Sequence, residues 1–414
     1  MKRRIVILAL LFTSLNYAQQ RITLEDCYAL VRKNYPLAQQ NQLLEKQHKV
    51  DNESVYTASL PQLELDAQAT YQSEVITVPL PTSIPLNKDQ YRASLSVNQL
   101  IYNGKRLDVA AQLKAAHLKT QKKQVDVGLY QLNQQVNQLY YSILLTQEKH
   151  ALLTAKQALL QAKLKELDAA ISHGAVIPSS GKVLTAELLE VSQQFTELAS
   201  TQAILIETLA ALINQPLTTN TIFEQSRVTT NYQGKIQRPE ATLFDLKKEE
   251  LEWTKKLLAK DNAPKVMAFA TGGYGNPGLN ILDNSFQPFY IVGLKMNWTV
   301  FDWNLNKKKQ ASLTIEKERV DTERQVFNLQ IQIALSEQQK EIKKIEKLLI
   351  SDKEIIRLRK SILATADSQL KNGIITPSAY MVALTNVYES ESNYITHSIQ
   401  LELSKANYNS IKGI

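Results

Sequence analysis

The chain has only one cysteine, Cys27, in 414 residues, so an intramolecular disulfide is excluded. Glycine and proline are scarce, at twelve each, and neither occurs between Asn304 and Asn372. So long a stretch without either residue carries no turn signal. The five histidines (His48, His117, His150, His173, His397) never stand four apart, which removes the usual helical metal-ligand spacing. Gly-x-Ser-x-Gly and His-Glu-x-x-His are both absent, and no carboxylate pair sits in a pocket-like context. No enzyme and no cofactor is therefore expected. Gly272-Gly273-Tyr274-Gly275 is not followed by Gly-Lys-Ser/Thr, so it reads as a loop rim and not a phosphate cradle.

No apolar run near the N-terminus reaches the roughly 20 residues of a membrane-crossing helix. Ile5 to Leu15 spans little over half of that, behind Lys2-Arg3-Arg4 and ahead of Ala18. This is the composition of a secretory signal, residues 1–18, cut before Gln19. Cys27 lies eight residues past that cut, whereas a lipid-bearing cysteine would be the first mature residue. The formal charge is +8, and Lys2, Arg3 and Arg4 supply three of it. The remaining bases alternate with acids, as in Lys340-Glu341-Ile342-Lys343-Lys344-Ile345-Glu346-Lys347. That is a solvated helix face, and no nucleic-acid partner is expected.

What the chain does have is a heptad. Leu335, Ile342, Leu349, Ile356, Leu363 and Leu370 recur every seven residues, with Leu348, Ile355 and Ile362 beside them. This period winds a helix left-handedly against a partner, over ~100 Å for Asn304 to Asn372 at ~1.5 Å per residue. Gly373 stops it, and Ile374-Ile375-Thr376-Pro377 leads into a second proline-free run, Ser378 to Lys412. The pair forms a helical hairpin. An earlier hairpin matches it: the tip 173–178 aligns with 372–377, with both Gly and Pro offset by 199. Leu100-Ile101-Tyr102-Asn103-Gly104 aligns with Thr299-Val300-Phe301-Asp302-Trp303 at the same offset, and Pro36 and Pro61 match Pro239 and Pro264 at 203. A constant offset predicts a tandem duplication: 19–213, a linker 214–238, and 239–414. Within the first half the long helix spans Lys105 to Ser172, and shorter ones span Leu37 to Leu60 and Ser179 to Ile213.

Each half also holds two segments of period two: about 62–71 and 92–102 in the first, about 265–274 and 289–301 in the second. Leu63, Leu65, Ala67, Ala69 and Tyr71 alternate with Gln62, Glu64, Asp66, Gln68 and Thr70. Lys265 to Tyr274 is the weakest, being apolar on both faces. Alternation over about ten residues with aromatics near the ends fits a tilted strand through lipid. Four strands cannot close a barrel, and a lipid-exposed sheet edge leaves backbone groups unpaired. Three copies supply twelve strands. A dimer of eight is the geometric competitor and would leave little pore.

These features together resemble the TolC family of outer membrane efflux and secretion channels. The resemblance rests on the duplicated strand-strand-hairpin order, the junctions at Tyr102-Asn103-Gly104 and Phe301-Asp302-Trp303, and Leu24-Glu25-Asp26-Cys27-Tyr28-Ala29-Leu30 before Asn34-Tyr35-Pro36. It implies a mainly α fold with membrane β-strands: a trimeric 12-stranded barrel on a long α-helical coiled-coil barrel. It also implies a passive homotrimeric conduit in the outer membrane of a Gram-negative bacterium, reaching into the periplasm. Its partners would be outer membrane lipid, a periplasmic adaptor and an inner membrane transporter. The hairpin tips, with Gly174, Pro178, Gly373 and Pro377, are the expected docking points. Ser378, Tyr380, Thr385 and Asn386 are the candidate gate contacts, with closure expected to rest on interhelix hydrogen bonds and packing. Family members narrow that mouth with aspartates, but Ser378 to Val387 has no carboxylate, Ala379 and Val382 stand where acids are expected, and the next acid is Glu389. A reading from outside transport, a periplasmic or surface coiled-coil scaffold or adhesin, accounts for the signal and heptads but not for the four alternating segments. Drug, metal and protein export share this architecture.

Overall fold

The structure, a computed structural model, describes residues 21–76, 87–173, 177, 179–225 and 227–414. The signal segment 1–18, Gly174, Pro178 and the prolines Pro79, Pro81 and Pro85 lie outside the described residues. In chain order the elements are β1 (Arg21–Ile22), α1 (Leu24–Asn34), α2 (Gln40–Thr57), β2 (Gln62–Tyr71), β3 (Asp89–Tyr102), α3 (Arg106–Ser172) and α4 (Ser179–Ile213). Then follow β4 (Ile222–Phe223), α5 (Pro239–Ala259), β5 (Lys265–Asn276), β6 (Gln287–Asn297), α6 (Leu305–Lys371) and α7 (Pro377–Lys412).

The chain divides into two compact units. One comprises the described residues up to Ala38 with Val127–Arg238 and Leu329–Ile414. Two clusters form its core. In the first, Cys27 and Val31 of α1 pack with Val136, Tyr140 and Ile143 of α3 and Leu209 and Ile213 of α4. Thr23 and Asp26 form a reciprocal capping box that starts α1 and fixes how Cys27 enters this cluster. Segment 214–238 is tied in by strand pairing: β1 lies parallel to β4, with Ile22 opposite Phe223. The Tyr140 hydroxyl lies 3.0 Å from the Ile22 carbonyl and 2.7 Å from that of Glu224, spanning both strands. Burial pushes the Cys27 thiol up to about 12, aided by the charges of Asp26 and Glu25. By length and hydropathy α4 could cross a membrane, but Leu184, Val191, Ile206 and Leu209 are spent on the two clusters of this unit.

The other unit, Gln39–Asp126 with Pro239–Asn328, is built differently. Its sheet runs β2-β3-β5-β6, every pair antiparallel. Ion pairs link its helices, among them Lys114–Asp51 at 3.0 Å, Lys248–Asp321 at 2.6 Å and Lys317–Glu252 at 2.6 Å. Exposed pairs of this kind contribute ~0–1 kcal/mol each. No residue of α2 is buried, and its Leu43 and Val50 are exposed.

Several expected boundaries shift. The last strand ends at Asn297 and not at Phe301: Asn297 pairs with Lys265, the first residue of β5, and Pro264 before it has no N–H to extend the ladder. Trp298 and Val300 therefore continue the apolar alternation without a partner strand. The first short helix runs only from Gln40 to Thr57, preceded by a 3-10 turn at Pro36–Gln39 and followed by turn residues before Pro61. Helices α3 and α6 are both 67 residues long and begin 199 positions apart. Gly104 and Lys105 have φ of 64° and 63°, and Trp303 and Asn304, again 199 further on, have 54° and 62°.

Candidate channel wall and gate

Residues directly paired across a sheet share a face, so the registers decide which side chains belong together. Leu63, Val97, Ala270 and Val292 form one row, and Leu65, Leu95, Gly272 and Tyr290 the next. Between them, facing the other way, runs Glu64, Ser96, Thr271 and Ile291, followed by Asp66, Ser94, Gly273 and Phe289. One face is apolar across all four strands and carries Leu63, Leu65, Tyr290, Val292, Leu294 and Met296 in exposed positions. The other is predominantly polar, with Ser96 Oγ 2.9 Å from Thr271 Oγ1.

The two-sided apolarity of Lys265 to Tyr274 now has a cause. Phe269 lies on the polar face against Gly293, and Phe289 lies on that face over Gly273, where an added Cβ would collide with its ring. Each aromatic fills the space left by a glycine on the neighbouring strand. The Arg92 guanidinium completes this by sitting 4.9 Å from the Phe289 ring centroid. Strands β2 and β6 each pair on one side only, so both ends of the sheet are open among the described residues. Phe301 and Trp303 meet edge to face at 4.9 Å, both largely exposed, just past the strand end.

In the other unit the two hairpins meet around the second cluster. Leu153, Leu160 and Leu167 of α3 pack with Leu184 and Val191 of α4, Ala366 of α6, and Tyr380, Met381 and Leu384 of α7. Seven-residue spacing puts the leucines on one seam position, and Lys156 and Lys163, three residues after Leu153 and Leu160, take the other. Both lysines are buried, against the expectation that the basic residues of these helices are solvated. The reason is that each is paired. Lys163 Nζ lies 2.6 Å from Asp367 of α6 and 2.6 Å from Glu166, with the Tyr380 ring 5.5 Å away. Lys156 Nζ lies 2.6 Å from Glu187 of α4 and 4.4 Å from the centroid of Tyr388 in α7. Burial opposes the charge on Lys163, but its hydrogen bonds to Asp367 and Glu166 and their charges outweigh that and raise its pKa. Hydrogen bonds from Lys163 and Lys371 hold the Asp367 carboxyl below its usual range. Burial raises the phenols of Tyr380 and Tyr388. The signal for this pair was present in the sequence, as two lysines at a core heptad position.

Of the residues singled out from sequence, those that the structure describes lie along the second hairpin. Gly373 sits at φ +68°, with Ile374 N–H bonded to Gln369 O at 2.8 Å and Gly373 N–H to Leu370 O at 3.0 Å. These two bonds close a left-handed helix stop that favours glycine. Thr376 caps α7 through Ala379 N–H, with Pro377 in its first turn. Ser378 is exposed, while Thr385 and Asn386 are half-buried. Tyr380 is only 2% exposed and meets the first hairpin through its ring. At the first tip Ile177, and at the second Ile374, are exposed. Among the described residues no three His, Cys, Asp or Glu side chains gather where a metal could be held.

Structural comparison decides the fold. The chain matches the CmeC outer membrane channel of Campylobacter jejuni at 14% identity and TM-score 0.64, over 94% of this chain and 85% of that one. It matches the outer membrane protein VceC of Vibrio cholerae at 13% and 0.66, over 94% and 96%, and the MtrE outer membrane channel of Neisseria gonorrhoeae at 12% and 0.65, over 94% and 88%. This is the TolC channel fold. Sequence comparison alone returns no matching family model and no matching curated protein. At such identities the TolC fold is kept by patterning, meaning two sheet faces, heptad seams and helix stops, and not by particular side chains.

Proposed function

We propose that the protein is the outer membrane channel subunit of a tripartite export system, working as a passive homotrimeric conduit. The observation that carries this is the sheet: one face apolar across four strands, the other predominantly polar, and both edges open among the described residues. In lipid an unpaired backbone group costs several kcal/mol, so such a sheet must close on further copies of itself. Three copies make a twelve-stranded wall with the apolar face to lipid and the polar face to a water-filled lumen. The matching lengths of α3 and α6, and the left-handed pairs at both strand-to-helix junctions, support descent from a tandem duplication. The signal-like N-terminus supports export, and the neighbours' fold supports the outer membrane.

The hairpin tips are the docking points for a periplasmic adaptor joined to an inner membrane transporter. The second hairpin is the moving part of the gate, held to the first by Lys163, Asp367, Tyr380, Lys156 and Tyr388. With no acidic ring between Ser378 and Val387, divalent cations have little to bridge there. The scaffold or adhesin reading leaves the apolar sheet face without a purpose.

The test is extraction of the full chain from outer membranes in detergent. A three-chain particle that conducts ions across a planar bilayer is expected. A water-soluble single chain in the periplasm would refute the proposal.

A further inference from the structure

The open edges carry enough pattern to specify how they join. We infer that β6 of one copy pairs with β2 of the next in the one register that sets Lys295 opposite Glu64. This rests on the three-copy reading above.

Alternating direction along β2-β3-β5-β6 makes β6 antiparallel to the β2 of a following copy. In an antiparallel pair the two residue numbers of every partnered couple have a constant sum, so choosing one couple fixes them all. Two conditions restrict that choice. The faces must stay in phase, because a slip of one residue would turn every side chain of one strand to the wrong side. The even-numbered residues of β6 (Tyr290, Val292, Leu294, Met296) share the apolar face with the odd-numbered residues of β2 (Leu63, Leu65, Ala67). The second condition is that no β2 residue in lipid be left unpaired. With β2 at Gln62–Tyr71 and β6 at Gln287–Asn297, only one in-phase register pairs all of β2.

That register places Leu65 against Leu294 and Ala67 against Val292 on the apolar face. On the polar face it places Gln62 against Asn297 and Glu64 against Lys295, with Asp66 diagonal to the lysine. Glu64, Asp66 and Lys295 are exposed in the single chain. The row that starts at Leu63 and ends at Val292 would then continue at Ala67 of the next copy, four residues along the strand. Around three copies this offset is ~12 residues of ~3.3 Å against twelve strands ~4.8 Å apart. The resulting lean of roughly 35° falls in the range of membrane barrels.

Paired cysteine substitutions in the full chain test it, because the native Cys27 is fully buried. Lys295→Cys with Glu64→Cys should form disulfides between chains up to the three-chain species under mild oxidation. Lys295→Cys with Leu65→Cys, out of phase, should form at least tenfold less. A preferred cross-link from Lys295→Cys to another β2 position, in an intact oligomer, would overturn the register and leave the three-copy reading standing. Absence of any oligomer in the unsubstituted chain would instead fail the three-copy reading, and this inference with it. As a second measurement, Lys295→Glu should lower the temperature at which the oligomer dissociates in detergent, and Lys295→Glu with Glu64→Lys should restore it. Failure to restore, with Glu64→Lys alone harmless, would also count against the pair.

Discussion

Asp367→Asn isolates the link between the hairpins. It keeps the shape of the side chain and removes the charge that faces Lys163 Nζ at 2.6 Å. Lys163 is 7% exposed at its side chain and Asp367 28%, so the pair is neither a surface contact nor fully dry. A hydrogen bond to a charged group contributes ~1.5–3 kcal/mol. The lower end applies here, since Glu166 remains at 2.6 Å and Asp367 is partly hydrated. If the second hairpin must leave the first for the channel to open, about 1.5 kcal/mol per chain raises the open population roughly tenfold for each chain that has to move. The assay is open probability of the purified channel in a planar bilayer, with thermal unfolding followed in parallel. Lys360→Ala is the control. It removes the 2.7 Å pair with Glu391, which joins α6 to α7 inside one hairpin with the lysine 58% exposed. Its effect should stay below about threefold. Unchanged open probability in Asp367→Asn, or an equal rise in both variants, would refute the assignment of this link to the gate.

The same pair sets a pH dependence. The depressed Asp367 carboxyl contributes stability that is present above its unfolded pKa of ~3.9 and lost as pH falls through its folded value. The raised Lys163 contributes below ~10.4 and is lost as pH rises through its folded value. Open probability should therefore be flat from about pH 5 to 9 and climb below about 4, measured by acid titration of single channels. Tyr380→Leu should open the channel more than Tyr380→Phe, because the ring and not the hydroxyl faces Lys163. Equal effects would return the weight to the hydroxyl. Gly373→Trp, at a left-handed position with nothing within 4 Å of an added Cβ, should impair pump assembly in a pull-down while channel abundance holds. Cys27, with its thiol at about 12 and fully buried, should resist alkylation at pH 8 until the chain is unfolded.

The long elements were legible because their signals are local and repeated. Helix α4 has the bounds expected from its sequence, α3 starts one residue later than expected, and α6 is one residue shorter at each end. Strand ends were less legible, since they are set by the partner. Trp298 and Val300 alternate as well as any strand residue, yet β5 begins at Lys265 and offers them nothing. The contacts between the two hairpins were partly legible. Thr376, Pro377 and Gly373 announce the hairpin turn, but Asp367 and Tyr380, which meet Lys163, come from helices about two hundred residues away. Charge suggested solvent for Lys156 and Lys163, and heptad position, the less familiar signal for a lysine, placed them inside.

The strongest argument for assembly is what the single chain leaves uncovered. On α6 the heptad positions Ile342 and Leu363 are buried or half-buried, while the flanking row Leu348, Ile355 and Ile362 is exposed at 37%, 44% and 51%. One apolar row is used inside the chain and its neighbour is not. The sheet repeats the pattern, with its apolar face and, among the described residues, both edges open, and α2 repeats it again with no buried residue and with Leu43, Val50 and Tyr56 exposed. Exposed apolar area costs about 25 cal/mol per Å² relative to burial, so three such surfaces form a large driving force for whatever covers them. Lipid can cover the sheet face but cannot satisfy its edges, and water can satisfy the edges but not the face. Another copy of the same sheet, seated in the membrane beside the first as proposed above, would meet both demands. The exposed row of α6 would then be the helical counterpart of that seam.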